Sequence, residues 1–425
     1  MSLCKIIAMT LHITTKPGIA TAIVLLLVIF SGCSKDNASK KQTYTYTITT
    51  PVLKSRAEIF AALNGSISEP VKTAGKLYIK GQYIYLNEVE KGIHIIDNSN
   101  PSKPKQVAFL NIPGNLDIAV RDNILYADTY TDLLAIDISN PKKATVVNYI
   151  KNFYHRYYYY DNTAPDMIVA AVIKKDTTVE VNTIWADCAN CMYATSAQSN
   201  SGPKSNSGTA GSMASMVLMN DHLYALQESH SLGIVDISTP SSPRFDTTYY
   251  AGFDLETIYP FEGKLFLGSM TGMFMYDMTN PLAPVKLGEF SHGRACDPVV
   301  TDGRYAYVTL HAGTSCGGAA NELNVIDIKD LMNPTLVKAY NLTKPKGLCK
   351  DGDLLFVCDD KSGVRLYDAA NVSGLKQLSS INIENSYDII AGNKHAMVVT
   401  DNGLYQYDYS NTKNIRFLSK YALKN

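Results

Sequence analysis

Histidine, carboxylate and cysteine side chains are the groups of this chain that could do chemistry, and they are dispersed over its whole length. Imidazoles and carboxylates serve acid–base catalysis and metal binding, whereas cysteines serve redox chemistry, metal binding or cross-linking. The sequence contains no nucleophile elbow, P-loop, His-Glu-x-x-His or calcium-loop pattern. Any active site must therefore be assembled by the fold from separate segments.

The cysteines predict disulfides rather than a metal or redox centre. Cys188 and Cys191 form a C-x-x-C pair, but Met192 stands where a haem-attachment motif has histidine, and no second Cys/His pair follows at zinc-ribbon spacing. No thioredoxin-like βαβ pattern surrounds the pair, which favours a local disulfide over a redox role. Cys349 and Cys358 stand at different distances from the turn between them, which predicts buried free thiols.

The amino terminus predicts export to the cell envelope. An apolar run over residues 20–30 follows two lysines and is shorter than a typical membrane span. It ends in Phe30-Ser31-Gly32-Cys33, which resembles the lipobox of bacterial lipoproteins, where small residues precede a cysteine that is lipidated after cleavage. The resemblance implies a signal peptide over 1–32, lipid on Cys33, and a tether and lead-in segment over 33–70. An ordinary secretory signal or an uncleaved anchor is the alternative.

Composition predicts a folded and electrically neutral protein. Hydrophobic residues make up 46% of the chain and charged residues 18%, which excludes a disordered or fibrous chain. Lysine plus arginine and aspartate plus glutamate both number 39, so no net charge attracts nucleic acid. We therefore expect no nucleic-acid partner, and no pattern calls for a cofactor or a metal.

A repeat of about 40 residues decides the fold class. Each copy ends in an alternating strand, an aspartate and a turn that is often rich in Asn and Pro, as in Ile93-His-Ile-Ile-Asp97-Asn-Ser-Asn-Pro101. Successive aspartates of the repeat are 40, 99, 41, 50, 41 and 40 residues apart. They are Asp97, Asp137, Asp236, Asp277, Asp327, Asp368 and Asp408. We interpret them as acceptors for backbone N–H groups in the turn after a third strand, not as catalytic or metal-binding groups.

Three other strand patterns accompany that strand in each copy. In the first copy, Lys76–Lys80 and Tyr83–Leu86 flank a Gly-Gln turn, and Gln106–Ile112 follows the Pro-containing turn. Units of four strands cannot bury their faces alone, so they pack side by side around an axis. We predict an all-β fold, a β-propeller of seven four-stranded antiparallel blades over residues 71–425. An open β-solenoid is the weaker alternative.

The sequence resembles the LVIVD-repeat family of bacterial and archaeal surface β-propellers. The resemblance rests on Ile-Ile-Asp97, Gly-Ile-Val-Asp236 and Asn-Val-Ile-Asp327, and it covers about residues 75–425. It implies a propeller at the cell envelope, but it carries no catalytic residue across, because the family is largely without an assigned activity. The last two copies depart from the pattern, since they lack the proline after the aspartate.

The longest gap between aspartates contains an insertion at about 155–212. Its first half could hold a degenerate eighth blade, built from Met167–Ile173 and Thr177–Asn182, or a hairpin on a seven-bladed ring. Its second half, Ala194–Ser212, is rich in Ser, Gly, Asn, Ala and Thr and cannot supply two buried strands. We favour the insertion, and expect Ala194–Ser212 to be dispensable for folding because it should bury little apolar area.

One face of a propeller gathers the loops between blades and those between second and third strands, around the central channel. Cys296 and Cys316 both belong to this face, which predicts a disulfide between them. The same loops bring together a candidate ligand face of polar side chains, which can equally be plain solvated loop residues. They are His230, His292, Arg294, His311, Asp128, Asp359, Asp360 and Asp401.

Two functions from different classes follow from this fold. The first is a non-enzymatic binding or scaffold module for a protein or a glycan. Its lipid anchor would hold it at the outer membrane, on either the periplasmic or the surface-exposed side. The second is a propeller-type hydrolase or lyase, with converging carboxylates or histidines at the channel mouth. Two or more of the candidate side chains around one small site would favour the enzyme.

Overall fold

The computed structural model describes the chain in six stretches. These are residues 41–65, 71–155, 166–182, 209–293, 298–312 and 320–422. The chain divides into two compact units. The smaller comprises Met1–Ile48 with Lys175–Cys191, and the larger comprises Thr49–Lys174 with Met192–Asn425.

The lead-in segment consists of strand β1 (Lys41–Ser55) and the short helix α1 (Arg56–Ala61). The helix begins at Ser55 because a capping box forms there. The Ser55 hydroxyl accepts a hydrogen bond from the Glu58 backbone N–H at 3.3 Å, and the Glu58 carboxylate accepts from the Ser55 N–H at 3.0 Å. These two bonds satisfy N–H groups that a helix leaves open at its first turn.

Seven four-stranded antiparallel sheets follow, each built from four strands that are consecutive in the propeller. They are the blades of a seven-bladed β-propeller, as the repeat predicts. The strands of blades 1 and 2, from the inner to the outer, are β2 (Ala74–Lys80), β3 (Tyr83–Glu88), β4 (Gly92–Asp97), β5 (Lys105–Asn111), and β6 (Ile118–Arg121), β7 (Ile124–Asp128), β8 (Leu133–Asp137), β9 (Thr145–Ile150).

The chain then leaves the ring between blades 2 and 3. Strand β10 (Met167–Asn182) pairs with β1 in a separate two-stranded sheet, and β11 (Thr209–Ala210) adds a fifth strand to the inner edge of blade 1. The described part of the insertion is thus a hairpin partner for β1 and an addition to blade 1. It supplies no eighth blade.

The remaining five blades follow the same plan. Their strands are β12 (Met216–Met219), β13 (His222–Leu226), β14 (Ser231–Asp236), β15 (Arg244–Tyr250); β16 (Leu255–Phe261), β17 (Lys264–Ser269), β18 (Gly272–Asp277), β19 (Val285–Ser291); β20 (Val299–Thr301), β21 (Tyr305–Leu310), β22 (Glu322–Asp327), β23 (Thr335–Asn341); β24 (Leu348–Asp351), β25 (Leu354–Cys358), β26 (Val364–Asp368), β27 (Lys376–Ile381); and β28 (Ser386–Gly392), β29 (His395–Thr400), β30 (Gly403–Asp408), β31 (Arg416–Ala422).

The recurrent aspartate of each blade closes a turn, as the sequence predicts. Its carboxylate accepts a hydrogen bond from the backbone N–H two residues later, at 2.7–3.0 Å, in all seven blades. Just before the aspartate, the pairing of the third and fourth strands shifts register in every blade. This bulge recurs with the motif and was not evident from the sequence.

The ring closes through side chains, because every blade consists of its own consecutive strands. Inner strands contact one another around the whole circle, and β2 meets β28 where blade 1 adjoins blade 7. At this junction the side-chain amides of Asn98 and Gln406 exchange two hydrogen bonds, at 2.9 and 2.7 Å. The Ser419 hydroxyl donates to the Pro101 carbonyl at 2.6 Å. These contacts join the two ends of the ring.

Candidate functional site

The loops between blades and the loops between second and third strands lie on one face, which we call the loop face. In blade 1 the Glu90 N–H donates to the Asn115 carbonyl at 2.9 Å, and the Gly114 N–H donates to the Glu90 carbonyl at 2.8 Å. The two kinds of loop are therefore bonded together, and the candidate side chains can be placed on this face.

Asp128 supports a loop and is not open to solvent. Its carboxylate Oδ1 accepts backbone N–H bonds from Leu116 and Asp117, both at 2.8 Å, and an amide bond from Asn115 at 2.9 Å. The side chain is fully buried. It holds the connection between blades 1 and 2 and does not present its carboxylate to a ligand on the surface.

Asp359 has the same role between blades 5 and 6. Its Oδ1 accepts backbone N–H bonds from Thr343 and Lys344 at 2.8 Å, and its Oδ2 lies 2.7 Å from the Arg365 guanidinium. Glu88, which the sequence analysis did not single out, accepts two backbone N–H bonds from the segment that enters blade 1. Asp128, Asp359 and Glu88 share one sequence feature, which is a carboxylate at or just after the end of a blade's second strand.

The end of the insertion is bonded to the inner strands of several blades, and we call Thr209–Ser215 the channel plug. Strand β11 pairs with the inner edge of β2, which faces the propeller axis. The Gly211 N–H then donates to the Leu77 carbonyl of blade 1 at 3.0 Å, and the Ala214 carbonyl accepts from the Ile258 N–H of blade 4 at 2.9 Å. The plug is thus bonded to blades on opposite sides of the channel.

Ser212 fastens the plug to blades 6 and 7. Its N–H and its hydroxyl both donate to Asp388 Oδ1, at 3.0 and 3.1 Å, and its hydroxyl oxygen accepts from the Leu348 N–H at 2.6 Å. Gly211 must be glycine here, since an added Cβ would lie 1.8 Å from Asp388 Oδ2. The backbone of the plug therefore passes directly beside this carboxylate.

Ser215 fastens the other end of the plug to blade 2. Its N–H donates to Asp117 Oδ2 at 2.6 Å, and its hydroxyl lies 3.2 Å from the same oxygen. The buried Lys76 ammonium of blade 1 also lies 3.2 Å from that oxygen. Three blades and the plug therefore share two buried carboxylates.

Burial raises the pKa of both carboxylates. Loss of solvation raises the pKa of Asp388 to about 7, although hydrogen bonds from Ile389 and Ser212 act to lower it. Loss of solvation also raises the pKa of Asp117, against the opposing effect of Lys76. The sequence analysis missed Asp388, because a lone aspartate in a strand carries no motif.

An exposed aromatic cluster lies on the loop face beside blade 3, and we call His230, Tyr250 and Phe253 the blade-3 patch. Tyr250 is 52% exposed and Phe253 70% exposed, and their rings meet edge to face at 5.5 Å. The His230 ring lies 6.1 Å from Tyr250. Glu228 lies between two imidazoles, 3.0 Å from His230 and 3.2 Å from His155. Of the candidate residues, His230 is the one that lies in an exposed cluster of this kind.

The other candidates have separate partners. Asp360 lies 3.2 Å from the Lys346 ammonium, and Asp401 accepts an amide bond from Asn385 at 2.7 Å. His292 and His311 are partly exposed. Within the described residues, no three His, Cys, Asp or Glu side chains are close enough together to hold a metal ion.

Comparison with known families identifies the repeat. A family model described as the LVIVD repeat matches residues 72–109, 115–149, 210–250 and 292–342. The chain carries LVIVD repeats. The matches fall on blades 1, 2, 3 and 5 of this LVIVD-repeat propeller, and the third begins inside the channel plug. Blades 4, 6 and 7 share the aspartate turn and the bulge, so the same structural unit continues through them.

One solved structure supports the fold and nothing further. The periplasmic gluconolactonase PpgL of Pseudomonas aeruginosa is 10% identical, with a TM-score of 0.51 over 83% of this chain and 95% of that one. BamB of Moraxella catarrhalis is 9% identical, with a TM-score of 0.47 over 84% and 97% of the two chains. No curated protein sequence gives a significant match.

Several predicted residues lie outside the described part of the LVIVD-repeat propeller. They are Cys33, Cys188, Cys191, Arg294, Cys296 and Cys316. Cys349 and Cys358 are described and are both free thiols, the first partly and the second fully buried. Burial raises the pKa of the Cys358 thiol. Among the described residues, no helix has the length and apolar character needed to span a bilayer.

Proposed function

We propose that this LVIVD-repeat propeller is a lipid-anchored, non-enzymatic binding module of the bacterial cell envelope, and that its ligand is a protein or a glycan. The observation that carries the proposal is the channel plug. The channel mouth is where a propeller enzyme would gather its catalytic groups, and here the chain itself bonds to the groups at the axis. The candidate side chain that lies in an exposed cluster is His230, on the blade-3 patch.

The blade-3 patch has the features of a recognition surface. Aromatic rings that are more than half exposed offer a large apolar area to a protein side chain or a sugar ring. Glu228 holds the His230 imidazole by an ion pair or hydrogen bond at 3.0 Å, which fixes a polar group beside the rings. The patch therefore combines exposed apolar rings with a polar group that can form directional hydrogen bonds.

A hydrolase or lyase at the channel mouth remains the second candidate function. It would need free carboxylates or histidines around one small site. Asp128 and Asp359 are instead bonded to backbone N–H groups, and Asp117 and Asp388 are bonded to the plug. These contacts favour the binding module over the enzyme.

The envelope location rests on the lipobox-like end of the apolar run. We propose that Cys33 carries acyl chains on the outer membrane. Cys33→Ala should move the protein from the membrane fraction to the soluble fraction, because more than one acyl chain is needed for stable anchoring and the alanine accepts none. Retention of this variant in washed membranes would contradict the anchor.

Site-specific photo-crosslinking in cells tests the ligand surface. A photoreactive residue replaces Phe253 in one variant and Met332 in the other. Met332 is 76% exposed and lies in a turn between third and fourth strands, on the opposite face. We expect a discrete crosslinked product from position 253 that Tyr250→Ser weakens, and none from position 332. Equal products from both positions, or none from 253 together with no glycan bound on an array, would overturn the proposal.

A further inference from the structure

The hairpin of β1 and β10 in the smaller unit has one polar and one apolar face. The Thr45 and Thr178 hydroxyls are 3.0 Å apart, and the Thr47 hydroxyl donates to the Asp176 carboxylate at 2.6 Å. These four side chains therefore share one face. Because side chains alternate along a strand, the neighbouring residues point to the other face. They are Tyr44, Tyr46 and Ile48 on β1, and Lys175, Thr177 and Val179 on β10.

The apolar face is open to solvent. Tyr44 is 48% exposed, Tyr46 49% and Ile48 42%. A two-stranded hairpin is marginally stable alone in water and usually needs a surface against which its apolar side packs. Tyr46 and Ile48 are neighbours on this face, so together they are more than an isolated exposed hydrophobic residue, and we expect a further surface to cover them.

The predicted lipid on Cys33 points to the bilayer as the surface that this face contacts. Tyr44 follows Cys33 by eleven residues, and an extended chain of that length spans at most about 40 Å. Acyl chains on Cys33 would hold the hairpin within that distance of the bilayer surface. Tyrosine is enriched at membrane interfaces because its ring is apolar and its hydroxyl is polar. Lys175, on the same face, suits lipid phosphates.

We infer that the apolar face of the β1–β10 hairpin, formed by Tyr44, Tyr46 and Ile48, lies on the lipid surface of the membrane that anchors Cys33. This inference rests on the proposed lipid anchor. The hairpin is then a second contact with the bilayer, in addition to the acyl chains on Cys33. The polar face, with Asp176 and three threonines, points to water.

Fluorescence quenching by brominated lipid tests the inference. Trp185, the single tryptophan, is first replaced by phenylalanine. One variant then carries Tyr46→Trp, and its matched control carries Thr45→Trp, one residue away on the polar face. Both are purified with their native lipid and placed in vesicles of phosphatidylethanolamine and phosphatidylglycerol. A second preparation begins at Ser34 and is held on the same vesicles by an N-terminal histidine tag and nickel-chelating lipid.

We expect bromolipid to quench Tyr46→Trp at least threefold more than Thr45→Trp in both preparations. Equal quenching at the two positions, or none, would overturn the inference. So would a blue-shifted Tyr46→Trp emission that depends on protein concentration without lipid, because a second copy would then cover the face. The intact mass of the native protein reports the acyl chains on Cys33 separately. A missing lipid with quenching in the tagged preparation would contradict the anchor and leave the hairpin contact standing.

Discussion

Asp388 and Ser212 are separated by 176 residues, yet the carboxylate Oδ1 of Asp388 accepts two hydrogen bonds from Ser212, at 3.0 Å from its N–H and 3.1 Å from its hydroxyl. Asp388 belongs to the inner strand of blade 7, and Ser212 is in the channel plug. This contact joins the end of the insertion to the last blade of the ring. Folding of the plug and closure of the ring should therefore be coupled.

Ser212→Ala should lower the free energy of unfolding by about 1–3 kcal/mol. The substitution removes a hydroxyl that donates to Asp388 and accepts from the Leu348 N–H, and it leaves these buried groups without that partner. Urea unfolding measures the difference. Ser242→Ala is the matched control, because Ser242 is exposed in a turn. Equal unfolding free energies for the two variants would contradict the role of the plug.

Asp388→Asn should flatten the pH dependence of stability between pH 5 and 8. The pKa of Asp388 is about 7 in the folded protein and near 3.8 in the unfolded chain. The folded state therefore binds more protons, so the contribution of Asp388 is fully present below about pH 4 and is lost as the pH rises through 7. At 1.36 kcal/mol per pKa unit the loss is at most about 4 kcal/mol.

Urea unfolding at pH 5, 6, 7 and 8 measures this slope. Asp408→Asn is the control, because hydrogen bonds from Ser410 and Arg416 lower the pKa of Asp408 and its titration lies below this range. We expect the wild type and Asp408→Asn to lose stability together as the pH rises, and Asp388→Asn to lose less. Parallel curves for all three proteins would show that Asp388 is ionised throughout.

Asp128→Ala should destabilise the fold by about 3 kcal/mol, because it leaves two backbone N–H groups and the Asn115 amide without their acceptor. Asp401→Ala on the same face should cost less than about 0.5 kcal/mol, since Asp401 lies in an exposed turn. Thermal unfolding compares the two variants. A stable Asp128→Ala protein with altered ligand binding would return Asp128 to the candidate ligand face.

The Cys296–Cys316 disulfide stays a prediction, because both residues lie outside the described part of the chain. A non-reducing digest of protein alkylated before unfolding should yield one linked peptide pair. Cys349 and Cys358 serve as internal controls, since both are free thiols. Recovery of alkylated Cys296 and Cys316 in the absence of a reductant would remove the bridge.

The sequence by itself determined the blade count and the role of the repeated aspartates. Each unit is local, because its strands are consecutive and its turn closes through a carboxylate and an N–H two residues away, as at Asp97 and Ser99. Residue types and their spacing can therefore predict this short-range geometry. The number of copies then gives the number of blades, since each four-stranded unit must bury its faces against its neighbours.

Only the tertiary structure decided what lies in the channel. The prediction that Ala194–Ser212 is dispensable for folding stays a prediction, but its described end, Thr209–Ser212, pairs with blade 1 and is bonded to Asp388. A run of Thr, Ala, Gly and Ser has no periodicity that marks burial. Small residues are required there because the backbone itself approaches the carboxylate, and Gly211 leaves no room for a Cβ. Contacts between residues so far apart in the chain depend on ring closure, which leaves no local pattern in the sequence.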